Sequence, residues 1–111
     1  MPVDRNLGQQ LDALWQTIES RRGADPDSSY TASLLAQGAE RCAKKFGEEA
    51  VEAAIAGALG NKDELAAEAA DTLYHLFVLM AAAGVEPADI AAKLAGRTSQ
   101  SGHEEKASRK G

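Results

Sequence analysis

Apolar residues recur at helical spacing through most of the chain. The first stretch carries five of them close to one face: Leu7, Leu11, Leu14, Trp15 and Ile18. This periodicity predicts an amphipathic helix over about residues 4–22, because positions three and four apart share one side of a helix. The turn-forming residues from Gly23 to Ser29 predict a loop after it.

The middle of the chain predicts two helices from their end signals. Ser29 is a suitable N-cap for a short helix that begins near Tyr30 and ends around residues 37–38. A longer helix is predicted from about residue 39 to residue 59, because Gly60 is well placed as its C-cap.

The second half predicts two more helices and a tail. Residues 61–64 resemble a capping box and start a helix that ends near residue 83. Pro87 suits the first turn of a last helix, which ends near residues 95–96. Residues 97–111 lack periodicity and are predicted to be disordered. The expected organisation is therefore one domain over residues 1–96 and a tail.

The second long helix is apolar nearly all round between Leu73 and Ala83. A helix without a polar face is normally buried on every side, and the other four predicted helices can hardly surround it. We therefore predict an all-α bundle of about five helices whose core is completed by homodimerisation.

The composition is typical of closely packed helices, since 44% of the 111 residues are hydrophobic and only 5% are aromatic. The net charge of −5 argues against nucleic acid as a partner, because phosphate binding depends on clustered Lys and Arg. Cys42 is the only cysteine, so a reducing cytoplasm is expected. Residues 1–20 do not resemble a signal peptide, and the apolar run over 76–85 is far shorter than the roughly 20 residues of a membrane span. We expect a soluble cytoplasmic protein without a membrane partner.

Acidic residues fall on the two long helices where apolar residues would continue the pattern: Glu48, Glu49, Glu52, Glu68 and Asp71. The first cluster continues the stripe of Ile55 and Leu59, and the second continues that of His75 and Leu79. Because burying isolated carboxylates is costly, two such clusters on antiparallel helices predict a divalent cation between them. All-oxygen ligands suit Mg²⁺ or Mn²⁺, and Mg²⁺ commonly recruits substrate phosphates. The alternative is that both acidic faces are simply solvated.

Other candidate groups keep more than one interpretation. Lys44 and Lys45 lie one turn before Glu48, so they either pair with it on the helix surface or bind phosphate oxygens. His75 could ligate a metal, carry protons or hydrogen-bond a carboxylate. The Glu-x-x-His pairs of di-iron bundles are absent from the sequence. Cys42 has no recognisable activating base, which argues against a nucleophilic role.

Three segments combine into a recognisable pattern: Ser29-Tyr30-Thr31, Lys44-Lys45-x-Gly47-Glu48-Glu49-Ala50-x-Glu52 and Glu68-Ala69-Ala70-Asp71-x-Leu73-Tyr74-His75-Leu76. Over about residues 7–97 the chain resembles the phosphoribosyl-ATP pyrophosphohydrolase family of histidine biosynthesis. The two acidic motifs alone mark only the wider MazG-like group of all-α nucleoside triphosphate pyrophosphohydrolases. The first segment, the lysine pair and the Leu-Tyr-His end narrow the resemblance to the histidine-pathway branch.

The resemblance implies a Mg²⁺-dependent enzyme, at least dimeric, that cleaves 1-(5-phosphoribosyl)-ATP between its α and β phosphates. Mg²⁺ would be held by four carboxylates: Glu49, Glu52, Glu68 and Asp71. Glu48, together with Glu49 and Glu52, would serve catalysis by orienting or deprotonating water or by holding a second ion, and the general base stays open. Phosphates would be contacted by Lys44 and Lys45, while Tyr30 and Thr31 would help to close the substrate end.

Two other functions remain compatible with the sequence. One is a MazG-type enzyme of the same fold that clears noncanonical nucleoside triphosphates. The other is a non-catalytic helical dimerisation module whose acidic residues are solvated.

Overall fold

The computed structural model describes residues 5–98, and within that range the chain is entirely helical. The elements in chain order are α1 (Leu7–Ser20), α2 (Tyr30–Gln37), α3 (Ala39–Ala58), α4 (Lys62–Ala83) and α5 (Pro87–Thr98). The predicted all-α class with five helices is thus confirmed. The predicted disordered tail from residue 99 onward lies outside the described residues.

The first helix is shorter than its apolar periodicity predicts, because capping groups fix both ends. The Asn6 side chain accepts a hydrogen bond from the Gln9 backbone N–H, so the helix begins at Leu7. At the other end the backbone tightens, and the Arg21 N–H donates to the Ile18 carbonyl.

Both ends of α2 follow their sequence signals. Ser29 caps α2 by accepting from the Ala32 N–H at 3.2 Å, as predicted. Gly38 then separates α2 from α3 with a φ of 93°, a conformation that side-chain-bearing residues rarely adopt. The chain therefore turns sharply between two helices without an intervening loop.

The α3–α4 hairpin is the central element, since these two helices make the most extensive pairing in the molecule. Gly60 takes a φ of 73° after α3 ends, and the Asn61 N–H donates to the Ala56 carbonyl. Asn61 then caps α4 by accepting from the Glu64 N–H at 3.1 Å. Its amide also donates to the Glu64 carboxylate at 3.1 Å, which confirms the box-like start.

The face that α3 turns towards α4 differs from the predicted one. Burial follows Phe46, Glu49, Ala53 and Ala56, whereas the predicted stripe of Glu48, Glu52, Ile55 and Leu59 is exposed. The small alanines let the two helices approach closely, so they line the contact instead of the larger Ile and Leu side chains. The contact face is rotated around α3 towards Glu49, which flanks the predicted stripe and lies opposite α4 as expected.

The hydrophobic core lies around the second half of α4. Phe77, Val78 and Met80 are buried with Ile18 of α1 and Leu34 of α2. Trp15 meets the Phe77 ring edge-on at 5.6 Å between centroids. Arg22 also anchors α1 on α4, because its guanidinium donates to the Ala81 carbonyl at 2.8 Å.

The expectation that α4 is covered on every side does not hold for the single chain. Leu73, Leu76 and Leu79 are only partly buried. The last helix, α5, has no buried residue and continues to Thr98, slightly beyond its predicted end. By length and composition α4 would also qualify as a membrane-spanning helix, a property shared by core helices of soluble proteins.

Candidate metal centre

Three carboxylates meet where α3 and α4 face each other. Glu49 comes from α3, while Glu68 and Asp71 lie one turn apart on α4. One oxygen of each carboxylate lies within 4.8 Å of the others. The antiparallel hairpin therefore brings together residues from both acidic motifs, as the sequence analysis expects.

Glu68 is the most perturbed carboxylate of this cluster. Its Oε2 is buried and has no hydrogen-bond partner among the described residues. Its pKa is raised to about 7, first by burial, next by the neighbouring carboxyl of Glu52, and then by the negative charges of Glu49 and Asp71. Each of these causes disfavours a bare negative charge at this position.

The cluster fits a hard divalent cation. Every converging ligand atom is a carboxylate oxygen, which is the donor type that Mg²⁺ and Mn²⁺ prefer. A cation would give the buried Glu68 oxygen a partner and would offset the mutual repulsion of the carboxylates. The Asp71 side is exposed, so such an ion would keep positions open for water or for phosphate oxygens.

The other two acidic residues of the first motif, Glu48 and Glu52, lie beside the three-carboxylate cluster. Glu52 is close enough to Glu68 to raise its pKa, and both residues line a cleft that opens towards the hairpin turn. Glu48 is exposed, and its Oε2 lies 3.8 Å from Nζ of Lys45. Of the four predicted metal ligands, three are thus already convergent and the fourth, Glu52, is adjacent.

The predicted phosphate and substrate contacts lie at the start of α2 and in the first half of α3. Lys45 pairs with Glu48 as a helix neighbour, while Lys44 is exposed on the same turn. Tyr30 is exposed at the start of α2. Thr31 is buried, and its hydroxyl shares a hydrogen bond with the Tyr74 hydroxyl. A substrate would therefore meet the ring of Tyr30 before it met Thr31.

His75 is buried beside the rings of Tyr30 and Tyr74. The residue is only 6% exposed, and its Nδ1 is buried without a hydrogen-bond partner in the described part of the chain. Its ring lies edge-on to Tyr30 at 6.2 Å and to Tyr74 at 4.9 Å. Burial lowers the pKa of His75, against the opposing charge of Glu49, so the neutral imidazole is favoured.

Two features of the site were not identified from the sequence. Tyr74 links α4 to α2 through Thr31 and through a stacked contact with Tyr30, and such a pairing across distant positions leaves no local pattern. The cleft at the hairpin end is the other. Its clue was the apolar pair Ile55 and Leu59, which continues the stripe of the first acidic cluster.

Cys42 takes no part in this chemistry. It is buried in the core, and its Sγ donates to the Leu34 carbonyl at 3.3 Å. Burial raises the pKa of the thiol, so the nucleophilic thiolate is disfavoured.

The fold and the site together define a small all-α protein with an acidic, all-oxygen cluster on a helical hairpin. Comparison with known proteins identifies the group within that class. The chain belongs to the phosphoribosyl-ATP pyrophosphohydrolase family, whose model matches residues 11–98.

Its relatives carry the corresponding name. A phosphoribosyl-ATP pyrophosphatase of Cereibacter sphaeroides is 57% identical over 99 residues, covering 89% of this chain and 96% of its own. The protein of that name from Paramagnetospirillum magneticum is 58% identical, with 89% and 91% covered. A third, from Paracoccus denitrificans, is 56% identical over 100 residues, with 90% and 93% covered.

Proposed function

We infer that this chain hydrolyses 1-(5-phosphoribosyl)-ATP to 1-(5-phosphoribosyl)-AMP and pyrophosphate, the second step of histidine biosynthesis. The observation that carries this inference is the family match over residues 11–98, which includes both acidic motifs. Relatives that are more than half identical are phosphoribosyl-ATP pyrophosphatases. The enzyme is a hydrolase of a phosphoanhydride bond.

The acidic cluster supports a Mg²⁺-dependent mechanism. Glu49, Glu68 and Asp71 would hold the ion, and Glu52 would complete the set from the adjacent turn of α3. The bound cation would neutralise charge on the phosphate oxygens and activate a water. Glu48, the exposed residue that precedes Glu49, would orient or deprotonate the attacking water from the solvent side.

The lysine pair would receive the leaving phosphates. Lys45 lies one turn before Glu49, and Lys44 is next to it, so both ammonium groups lie on the N-terminal side of the acidic cluster. Ammonium groups form charge-assisted bonds with phosphate oxygens. Tyr30 and Thr31 would flank the same end, with Thr31 holding Tyr74 and Tyr30 facing solvent.

The decisive experiment measures pyrophosphate release by the purified full-length chain. With Mg²⁺, phosphoribosyl-ATP should be the preferred substrate, and a panel of deoxynucleoside triphosphates should react more slowly by orders of magnitude. The opposite preference would assign the chain to nucleotide clearance.

Glu68→Gln and Glu52→Gln should abolish most of the activity. Asp63→Asn should not, because Asp63 is an exposed residue in the first turn of α4. Failure of the wild-type chain to release pyrophosphate, together with Mg²⁺ binding that Glu52→Gln leaves unchanged, would support a non-catalytic module instead.

We also propose that the active protein is a cytoplasmic homodimer. A groove of 340 Å³ between α1, α4 and α5 is lined by apolar side chains, among them the half-exposed Leu73, Leu76 and Leu94. A second copy that covered this groove would bury the side of α4 that a single chain leaves open. Sedimentation at micromolar concentration tests the proposal, and a monomer at that concentration would contradict it.

A further inference from the structure

A cleft of about 540 Å³ opens beside the acidic cluster, at the hairpin end of α3 and α4. Its volume lies within the range of about 300–1,000 Å³ that is typical of small-molecule sites. One wall is apolar and the other is polar. The residues that matter here are Glu52, Ile55, Leu59, Asn61, Glu64 and Glu68.

The apolar wall consists of Ile55 and Leu59, which are 55% and 78% exposed. Large apolar side chains that line a cleft next to charged groups offer a surface for a flat, weakly polar ring. They are also separated from the groove between α1, α4 and α5, which no residue of this cleft lines.

The order of groups along α3 gives the cleft a direction. Lys45 precedes Glu49 by one turn, and Ile55 follows it by nearly two, at about 1.5 Å of rise per residue. A nucleotide laid along this helix with its terminal phosphates at the lysines would place its scissile bond at the acids. Its base would then reach the cleft.

The polar wall carries the Glu64 carboxylate, which accepts a hydrogen bond from a neighbouring side chain. Asn61 donates to Glu64 Oε2 at 3.1 Å and so orients the side chain on the first turn of α4. Among the described residues other than Arg97, no Lys or Arg forms an ion pair with Glu64. The cleft therefore presents an oriented negative charge opposite an apolar surface.

This arrangement matches the unusual base of the proposed substrate, and the inference rests on the proposed function. A ribose substituent on N1 makes the adenine ring a much stronger base, so the purine is a cation near neutral pH, while the adenine of ATP is neutral. We propose that this cleft binds the N1-substituted purine, with Ile55 and Leu59 against its ring and the Glu64 carboxylate beside its positive charge. The cleft then discriminates against ATP through charge.

Two simple probes test this without hydrolysis: 1-methyladenosine 5′-monophosphate, whose base is cationic, and AMP. Their affinities for the full-length chain are measured by calorimetry with Mg²⁺ at pH 7. The wild-type protein should prefer the methylated nucleotide. Glu64→Gln, which keeps an oxygen acceptor for Asn61, should reduce that preference about fivefold, equivalent to about 1 kcal/mol. Asp63→Asn removes a charge from the same helical turn outside the cleft and should leave the preference intact.

The outcomes separate this inference from the function beneath it. An equal preference in wild type and Glu64→Gln would overturn the subsite while leaving phosphoribosyl-ATP hydrolysis standing. If the wild-type chain did not hydrolyse phosphoribosyl-ATP, the proposed function would be wrong. Leu59→Ala should weaken binding of both nucleotides. If it instead changed the oligomeric state and left both affinities unaltered, the cleft would be a protein interface and the inference would fail.

Discussion

The burial and the raised pKa of Glu68 both reflect the crowding of carboxylates at the site. Its buried Oε2 has no partner among the described residues, and its pKa is raised to about 7 by burial and by three neighbouring carboxylates. A residue in this state weakens the fold when it ionises without a counter-ion. A bound cation would reverse this effect, because it would offset the repulsion between the carboxylates and stabilise the folded state.

The raised pKa of Glu68 makes stability depend on pH in the metal-free protein. The folded state holds this proton up to a pH of about 7, whereas the unfolded state releases it near the ordinary glutamate pKa of 4.5. Stability from this group is therefore present at low pH and is lost as the pH rises from about 4.5 through 7. In EDTA, Glu68→Gln should raise the melting temperature more at pH 8 than at pH 5.

Two further measurements complete that prediction. Mg²⁺ should stabilise the wild-type protein at pH 8 and should stabilise Glu68→Gln much less. Asp63→Asn serves as the control, since this exposed residue lies outside the cluster. An equal effect of Glu68→Gln at both pH values would contradict the assigned cause of the pKa shift.

At the scale of elements, the sequence predicted the helices well and their contact faces less well. The caps at Ser29 and Asn61 are short-range signals, and both are found in the structure. Which side of α3 meets α4 depends on how closely two helices approach, and that distance is set by the alanines of both partners. The predicted stripe of Ile55 and Leu59 therefore proved to be an exposed wall of the cleft.

The site itself was predictable to the extent that it is local. Spacing on each helix placed Glu49 and Glu68 near the shared face, and the short turn at Gly60 made the helices antiparallel. The contact of Thr31 with Tyr74 joins positions 43 residues apart, and such a contact follows from tertiary packing alone.

The bond between α2 and α4 should be measurable as a coupling energy. Tyr74→Phe leaves the buried Thr31 hydroxyl without its partner, which should cost about 1–2 kcal/mol of unfolding free energy. Thr31→Val in the Tyr74→Phe background should cost less than it does alone. Urea denaturation of the four proteins gives the coupling, and strictly additive changes would show that the hydroxyls do not interact. Tyr30→Phe, an exposed hydroxyl, is the control.

The hairpin turn offers a matched pair of glycine substitutions. A methyl group at Gly57, inside α3, would meet the Leu65 side chain at 3.7 Å, an ordinary contact distance. Gly57→Ala should therefore stabilise the protein by about 0.5–1 kcal/mol. Gly60 has a φ of 73°, so Gly60→Ala should destabilise it by about 1 kcal/mol. The melting temperatures of the two variants test this prediction. Shifts of the same sign and size in both would refute the conformational argument.

At the scale of the whole molecule, two apolar regions are left open by the single chain, and we assign them different occupants. The groove along α5 is lined by Leu76, Ile90 and Leu94 and is almost free of polar surface. The cleft beside the acids combines Leu59 with carboxylates and is therefore suited to a charged ligand. We therefore expect a second copy of the chain in the groove and the substrate in the cleft.

A charge in the groove should separate the copies without disturbing the acidic cluster. Leu94→Glu places a carboxylate on the exposed side of α5, where a partner would have to bury it at high cost. We expect a monomer by analytical ultracentrifugation at concentrations where the wild type is dimeric. Glu86→Gln, on the exposed loop before α5, is the control. A dimeric Leu94→Glu variant would place the interface elsewhere.

The three carboxylates of the acidic cluster all come from one uninterrupted stretch of chain, Glu49 through Asp71. A site built within one hairpin requires only the closure of a short turn, whereas a site assembled from distant segments must first bring remote parts of the chain together. Its ligands can therefore converge early during folding, before α1 and α5 have docked. Such a segment is also inherited as a unit, so insertions or rearrangements at either end of the gene would leave its spacing unchanged.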